Sequence, residues 1–164
     1  MLTQLKRSVA ALEKSRELQP LFAEVARAYQ SEVGFRLFTI TAIDQSLPKP
    51  VRRLWSSHPE LYPIGGDKEL ASDAWTDKVM GSQQLMICNT ASDIAATYPD
   101  HDVIDSLGCG SGMNLPIVLA GEVLGTLNIF NAARWFDEER IDRAHAMLAL
   151  VYAPMLLTRI FGKA

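Results

Sequence analysis

Apolar residues recur at three- and four-residue steps through the first thirty positions. Leu2, Leu5, Val9 and Leu12 form one set, and Leu18, Phe22, Val25 and Tyr29 another, so residues 1–31 read as a helical region. Pro20, at the junction, either kinks one long helix or occupies the first turn of a second. Gly34 ends this stretch. Residues 35–44, FRLFTITAID, then change the period to two. Arg36, Phe38, Ile40 and Ala42 alternate with Leu37, Thr39, Thr41 and Ile43, which predicts a strand with two fairly apolar faces, both needing cover. SLPKP (46–50) is a turn, and VRRLWSS (51–57) is the return strand, on which strict alternation puts Arg53 and Trp55 on one face.

From 58 to 70 the pattern lapses into a loop punctuated by Pro59, Pro63 and Gly65-Gly66. The glycine pair reads as a tight turn, with close approach to a ligand as the alternative. A short helix is expected over 75–80, closed by Gly81, and a third strand over 84–90. One or two short helices interrupted by Pro99 follow from Ser92. NLPIVL (114–119) and VLGTLNIFN (123–131) flank Ala-Gly-Glu and predict a tight hairpin turning at Gly121. The last helix, 137–161, starts at Asp137 as cap with Glu138 and Glu139 at its positive end. Ile141, Ala144, Leu148, Val151 and Met155 form its apolar stripe. No repeat or linker interrupts the 164 residues, so one domain is expected over 1–164, its sheet core at 35–131.

Charge narrows the partners. Sixteen basic against nineteen acidic residues give a net −3 with no basic stripe, which argues against nucleic acid. The longest strongly apolar run, 146–157, contains Pro154 and is too short to span a membrane. The charged start MLTQLKRS does not read as a signal peptide, and two cysteines make no disulfide framework. A cytoplasmic, reduced protein is expected.

The stretch DSLGCGSGMNLPI (105–117) is where enzyme chemistry is to be sought. A dinucleotide loop requires a third glycine where Met113 stands, and a helix where a strand with Pro116 follows. No Lys-Ser or Lys-Thr completes a phosphate loop. Around Ser111 the glycines of a nucleophile elbow are replaced by Cys109 and Met113. Cys109 paired with His101 is the remaining catalytic candidate, since a nucleophilic thiol needs a base. The simpler reading makes this stretch the hinge between a short helix and the hairpin, at the rim of a pocket. No two His or Cys stand at metal-ligand spacing, and nothing in the chain identifies a cofactor.

In the order of its elements the chain resembles the GAF domain over nearly its whole length. The resemblance is carried by LPIVLAGEVLGTLNIFN, by FDEER opening the last helix, and by VGFRLFTI after the first helices. LYPIGGDK and YPDHDVIDSLGCG resemble a bacterial group of single-domain GAF proteins. The resemblance implies an α+β fold: a central antiparallel sheet, terminal helices on one face, and a pocket under loops and short helices on the other. It also implies a sensory or regulatory module that binds a small molecule and dimerises through its terminal helices. Two subgroups can be compared by residue. Of the cyclic-nucleotide-binding pattern, Asn131 and Phe136 are present, but Ala132 replaces its lysine and Arg140-Ile141 its acidic pair. YPDH (98–101) resembles a segment of the free methionine-R-sulfoxide reductases. Ile104 stands where their catalytic cysteine falls, however, and no cysteine lies near Trp75, the region of their resolving one.

Tyr62, Trp75, Tyr98, His101, Cys109, Asn114 and Asn128 are the candidate ligand contacts. The two asparagines matter because they interrupt apolar strands, and a buried polar side chain needs a hydrogen-bond partner. The reading that follows is a small-molecule sensor acting as a homodimer and passing its signal to a separate partner. A thiol-dependent enzyme using Cys109 and a ligand-free dimerisation module are the alternatives.

Overall fold

The computed structural model describes residues 2–15 and 17–161; residues 1 and 16 of the expected helical region, and 162–164, lie outside the described residues. Six strands form one antiparallel sheet: β1 (Leu37–Ile43), β2 (Val51–Ser56), β3 (Gly65–Lys68), β4 (Met86–Cys88), β5 (Ser111–Leu119) and β6 (Glu122–Asn131). Their order is β3-β2-β1-β6-β5-β4. The long hairpin β5–β6 turns at Ala120-Gly121 and places β6 beside β1 at the centre.

Period-two alternation sorts the sheet into two faces. Phe38 and Ile40 of β1, Met113 and Leu115 of β5, and Leu127 and Ile129 of β6 point to one side and are fully buried. Helices α2 (Leu18–Glu32), α5 (Glu138–Ala146) and α6 (Tyr152–Phe161) cover that side, and α1 (Leu2–Lys14) packs on α2. Phe22, Val25 and Tyr29 of α2 meet Ala144 and Met155 there in one core. The Tyr29 hydroxyl, wholly buried, donates to the Ala144 carbonyl at 2.8 Å, so the two helical regions are joined by a bond as well as by packing. The opposite face carries Leu37, Thr39, Asn114, Asn128 and Phe130. It is roofed by α3 (Ala91–Thr97), α4 (His101–Ser106) and a π-helical turn at Thr76–Gly81.

Pro20 falls in the first turn of α2, where its missing N–H has no intrahelical partner to lose, so the chain forms two helices and not one kinked one. At the other terminus the expected continuous helix over 137–161 is broken. A 3₁₀ turn (Met147–Leu150) separates α5 from α6, with a bend of 42°. Pro154 accounts for it: its ring clashes with the carbonyl four residues back, Leu150, and it has no N–H to bond there. No single helix among the described residues is long and apolar enough to cross a membrane.

Two further expectations are corrected on the sheet. The segment read as loop contains the edge strand β3, and Gly65-Gly66, read as a tight turn, starts it with positive φ at both residues (81° and 71°). Glycines give no hydrophobic alternation to read, and β3 is held by backbone pairing to β2. Arg53 and Trp55 do not share a face. Ile40 pairs with Trp55 but Thr41 pairs with Arg53, so Leu54 is an extra residue in β2. This β-bulge reverses the alternation. Trp55 packs on Phe38 with ring centroids 6.0 Å apart, while Arg53 points to the opposite face.

The first helix also has a reversed polarity. Its inner side is polar and small: Gln4 donates to Ser31 of α2 at 3.2 Å, and Ser8 is buried. Leu2, Leu5 and Val9 are 66%, 38% and 52% exposed, so the apolar stripe of α1 faces away from the domain.

Candidate functional site

Between the polar sheet face and its roof lies a cavity of about 270 Å³. Its floor is a continuous hydrogen-bonded row across three strands. The Tyr98 hydroxyl donates to Asn114 Oδ1, and Asn114 Nδ2 donates to Asn128 Oδ1 at 2.7 Å. Asn128 Nδ2 donates to Thr39 Oγ1 at 3.0 Å. Thr126 donates to Asn128 Oδ1 at 3.1 Å, and since that spends its only hydrogen, the 2.6 Å bond between Thr41 and Thr126 has Thr41 as donor. Strand pairing makes the row possible, because Asn114 lies opposite Asn128 and Asn128 opposite Thr39.

The roof is placed by local sequence. Thr90 and Asp93 form a capping box at the start of α3: Asp93 N–H donates to the Thr90 hydroxyl, and the Asp93 carboxylate accepts from the Asn89 and Thr90 amides. These bonds hold the Asp93 carboxyl below the usual carboxylate range. Helix α3 ends at Thr97, so Tyr98, Pro99 and Asp100 descend to the cavity. Tyr98 packs edge-on against Phe130 at 5.4 Å, and burial pushes its hydroxyl pKa far up, so it acts as a neutral donor. At the other wall the Arg53 guanidinium lies over the Tyr62 ring, 5.1 Å from its centroid, and Nη1 donates to the Pro63 carbonyl at 3.2 Å. Burial lowers the Arg53 pKa, against the opposing pull of Tyr62 and Asp100. Tyr62 is raised, first by burial and then by the Asp100 carboxylate beside it. Glu69 and Asp73 complete an acidic rim near Trp75.

Of the sequence candidates, the structure brings Tyr62, Trp75, Tyr98, Asn114 and Asn128 to this one cavity. It places His101 and Cys109 elsewhere, along a separate outer depression between α3 and α4 with Asp102 and Asp105. The Gly108–Gly110 stretch is a hinge, with Gly108 at φ 70° and the Gly110 amide bonded to the Asn131 carbonyl, but it does not rim the cavity. Cys109 is 2% exposed, and burial pushes its thiol up to about 11. His101 Nδ1 is 3.2 Å from its neighbour Asp102, and the nearest bond of the Cys109 thiol is to the Leu107 carbonyl. Such a thiol is protonated at neutral pH, and among the described residues no hydrogen bond joins it to His101. Cys88 is likewise buried and raised, with Thr97 Oγ1 at 3.4 Å.

Thr39 and Asp100 were not among the candidates, and Arg53 was read only as sharing a face with Trp55, toward either the pocket or the helix side. Thr39 and Thr41 did carry a signal, being polar at alternate positions of a strand that is otherwise apolar. Arg53 carried none, because its face depends on the bulge.

No protein-family model and no curated protein matches the chain. Solved structures do. The GAF domain of a phosphoenolpyruvate-protein phosphotransferase from Coxiella burnetii superposes with a TM-score of 0.71 at 15% identity, covering 99% of this chain and 96% of that one. The GAF domain of a two-component sensor histidine kinase from Bacillus halodurans gives 0.70 at 11% identity, over 90% and 99% of the two chains. A GAF domain from an Acinetobacter phosphoenolpyruvate-protein phosphotransferase gives 0.64 at 14%, over 98% and 95%. At these identities the likeness is one of architecture, and the architecture is an α+β fold, that of the GAF domain.

Proposed function

We propose that the chain is a sensory or regulatory module that binds a small molecule in the cavity and reports its occupancy through the terminal helices. The observation that carries this reading is the row of hydrogen bonds from Tyr98 to Thr39, laid along the floor of an open cavity. The row satisfies its own polar groups in the fold, and beside an open cavity it also offers hydrogen-bonding groups to a ligand. The occurrence of this fold in a sensor histidine kinase and in phosphotransferases supports a regulatory role.

A route from cavity to helices is present in the bulge. Arg53 lines the cavity, and the carbonyl of the next residue, Leu54, accepts a 2.8 Å bond from Gln19 of α2. A ligand that moves Arg53 would therefore pull on α2. Signalling requires unequal ligand affinity for two helix arrangements, and the bulge is where that difference would arise. The outward stripe of Leu2, Leu5 and Val9 supports a homodimer built on α1. Action in the cytoplasm on a separate partner protein is part of the same proposal.

Native mass spectrometry of the purified protein, repeated under denaturing conditions, tests the ligand. A small mass released on denaturation supports the reading and identifies the ligand. A protein that carries nothing, and that no metabolite stabilises in a thermal-shift screen, refutes it. A ligand at a hundred times its Kd should add about 2.7 kcal/mol to the stability. Sedimentation of the wild type beside Val9→Glu tests the dimer.

A further inference from the structure

Arg53 is a cation with an unused edge. Nη1 is bonded to the Pro63 carbonyl and one face of the guanidinium is covered by Tyr62, but Nε is buried without an acceptor. Among the described residues no carboxylate forms an ion pair with it; Asp100 acts on it only across a longer distance. The Tyr62 hydroxyl, in a side chain 8% exposed, has the Asp100 carboxylate as its neighbouring acceptor, and after burial that carboxylate raises its pKa.

The floor can donate as well as accept. Asn128 Oδ1 already accepts twice, while Asn114 Oδ1 and Thr39 Oγ1 each accept once. The Thr39 hydroxyl hydrogen and one N–H on each amide remain as donors. The Arg53 guanidinium asks for a group that only accepts, and the floor has donors to add to it. Around the rim the described residues carry the opposite balance, with Glu69, Asp73 and Asp100 beside Arg53. A bare anion would enter against that charge, whereas a molecule carrying its own cation would not.

We propose that the ligand is an amino-acid-like zwitterion, its carboxylate on the Arg53 guanidinium and its ammonium toward the acidic rim beside Trp75. The guanidinium edge offers parallel N–H groups that a carboxylate engages in pairs. The apolar part of the molecule lies against Leu37, Ile104 and Phe130, in a volume suited to a molecule of this size. This rests on the cavity being a ligand site.

The test uses L-leucine and L-phenylalanine as probes, beside phenethylamine, which lacks the carboxylate, and 3-phenylpropionate, which lacks the amine. Binding is read by titration calorimetry and thermal shift on the full chain. At least one amino acid is expected to bind and both truncated analogues to bind at least tenfold more weakly. Arg53→Met is expected to weaken binding by about ten- to a hundredfold, with Arg53→Lys between it and the wild type. Thr39→Val, which leaves the Arg53 bonds in place, provides a second variant and should also weaken binding. Phenethylamine binding as tightly as L-phenylalanine, or undiminished affinity in both Arg53→Met and Thr39→Val, overturns the proposal. So does a co-purified ligand without a carboxylate, which would leave the sensory reading standing. Failure of every probe, with no ligand found by mass spectrometry, overturns both.

Discussion

Replacing Asn128 with alanine tests whether the floor row is one coupled network. Asn128 makes three of its bonds: it accepts from Asn114 at 2.7 Å and from Thr126 at 3.1 Å, and it donates to Thr39 at 3.0 Å. Each is worth about 1 kcal/mol net, and the truncation also strands donors on Asn114 and Thr126, which are both 1% exposed. Water entering from the cavity can recover part of this, so the expected loss is about 2–3 kcal/mol. For a domain of this size that corresponds to a fall in Tm of about 4–12 °C. Asn128→Asp is the informative partner. Its carboxylate still accepts from Asn114 and Thr126, and the Thr39 hydroxyl can turn to donate to it, so all three bonds survive. Urea titrations monitored by tryptophan fluorescence, compared at equal m-value, give both numbers. A loss below about 0.5 kcal/mol for Asn128→Ala would refute the network as drawn.

Three further outcomes are expected. Gly125→Ala would bring a Cβ into the Thr41 carbonyl oxygen of the neighbouring strand and within 2.7 Å of Met155 Cε. Neither backbone can withdraw without breaking the β1–β6 pairing, so circular dichroism should show loss of the cooperative fold, a cost above about 4 kcal/mol. Thr90→Ala removes the cap of α3 and should cost about 1 kcal/mol in the same urea assay, with increased amide exchange in α3. Cys109 should resist iodoacetamide at pH 7.5 in the native protein and react once urea is added, because a thiol pushed up to about 11 holds little thiolate there. Its pKa is raised in the fold above the free value of 9.0, so its contribution to stability is complete below about pH 9 and is lost as pH rises toward 11. A urea midpoint unchanged between pH 8 and pH 11 would contradict this.

What was legible in the sequence is what depends on neighbours along the chain. The helical N-terminal region, the strand after Gly34, the hairpin around Gly121, the short helical stretch around Pro99 and the Asp137 cap all follow from periodicity and from residues with fixed backbone habits, while the number of helices at Pro20 and at Pro99 stayed open. Asn114 and Asn128 stood out for a local reason too, as polar residues in apolar strands. The hinge at Gly108 was legible, but not which side of α4 would hold Cys109, because that depends on how α4 packs against α3.

The remaining features were decided by pairing between distant segments. An edge strand of glycines has no side-chain pattern, so β3 exists only because β2 offers free backbone groups. The extra residue at Leu54 is visible only against the register of β1, and it alone turns Arg53 into the cavity while Trp55 joins the core. The floor row joins residues as far apart as Thr39 and Asn128, through bonds that no single segment contains. By itself the sequence determined the elements, since helix and strand preference are set within a few residues. Tertiary structure decided the cavity and the charge facing it, since register and burial are properties of segments brought together by folding.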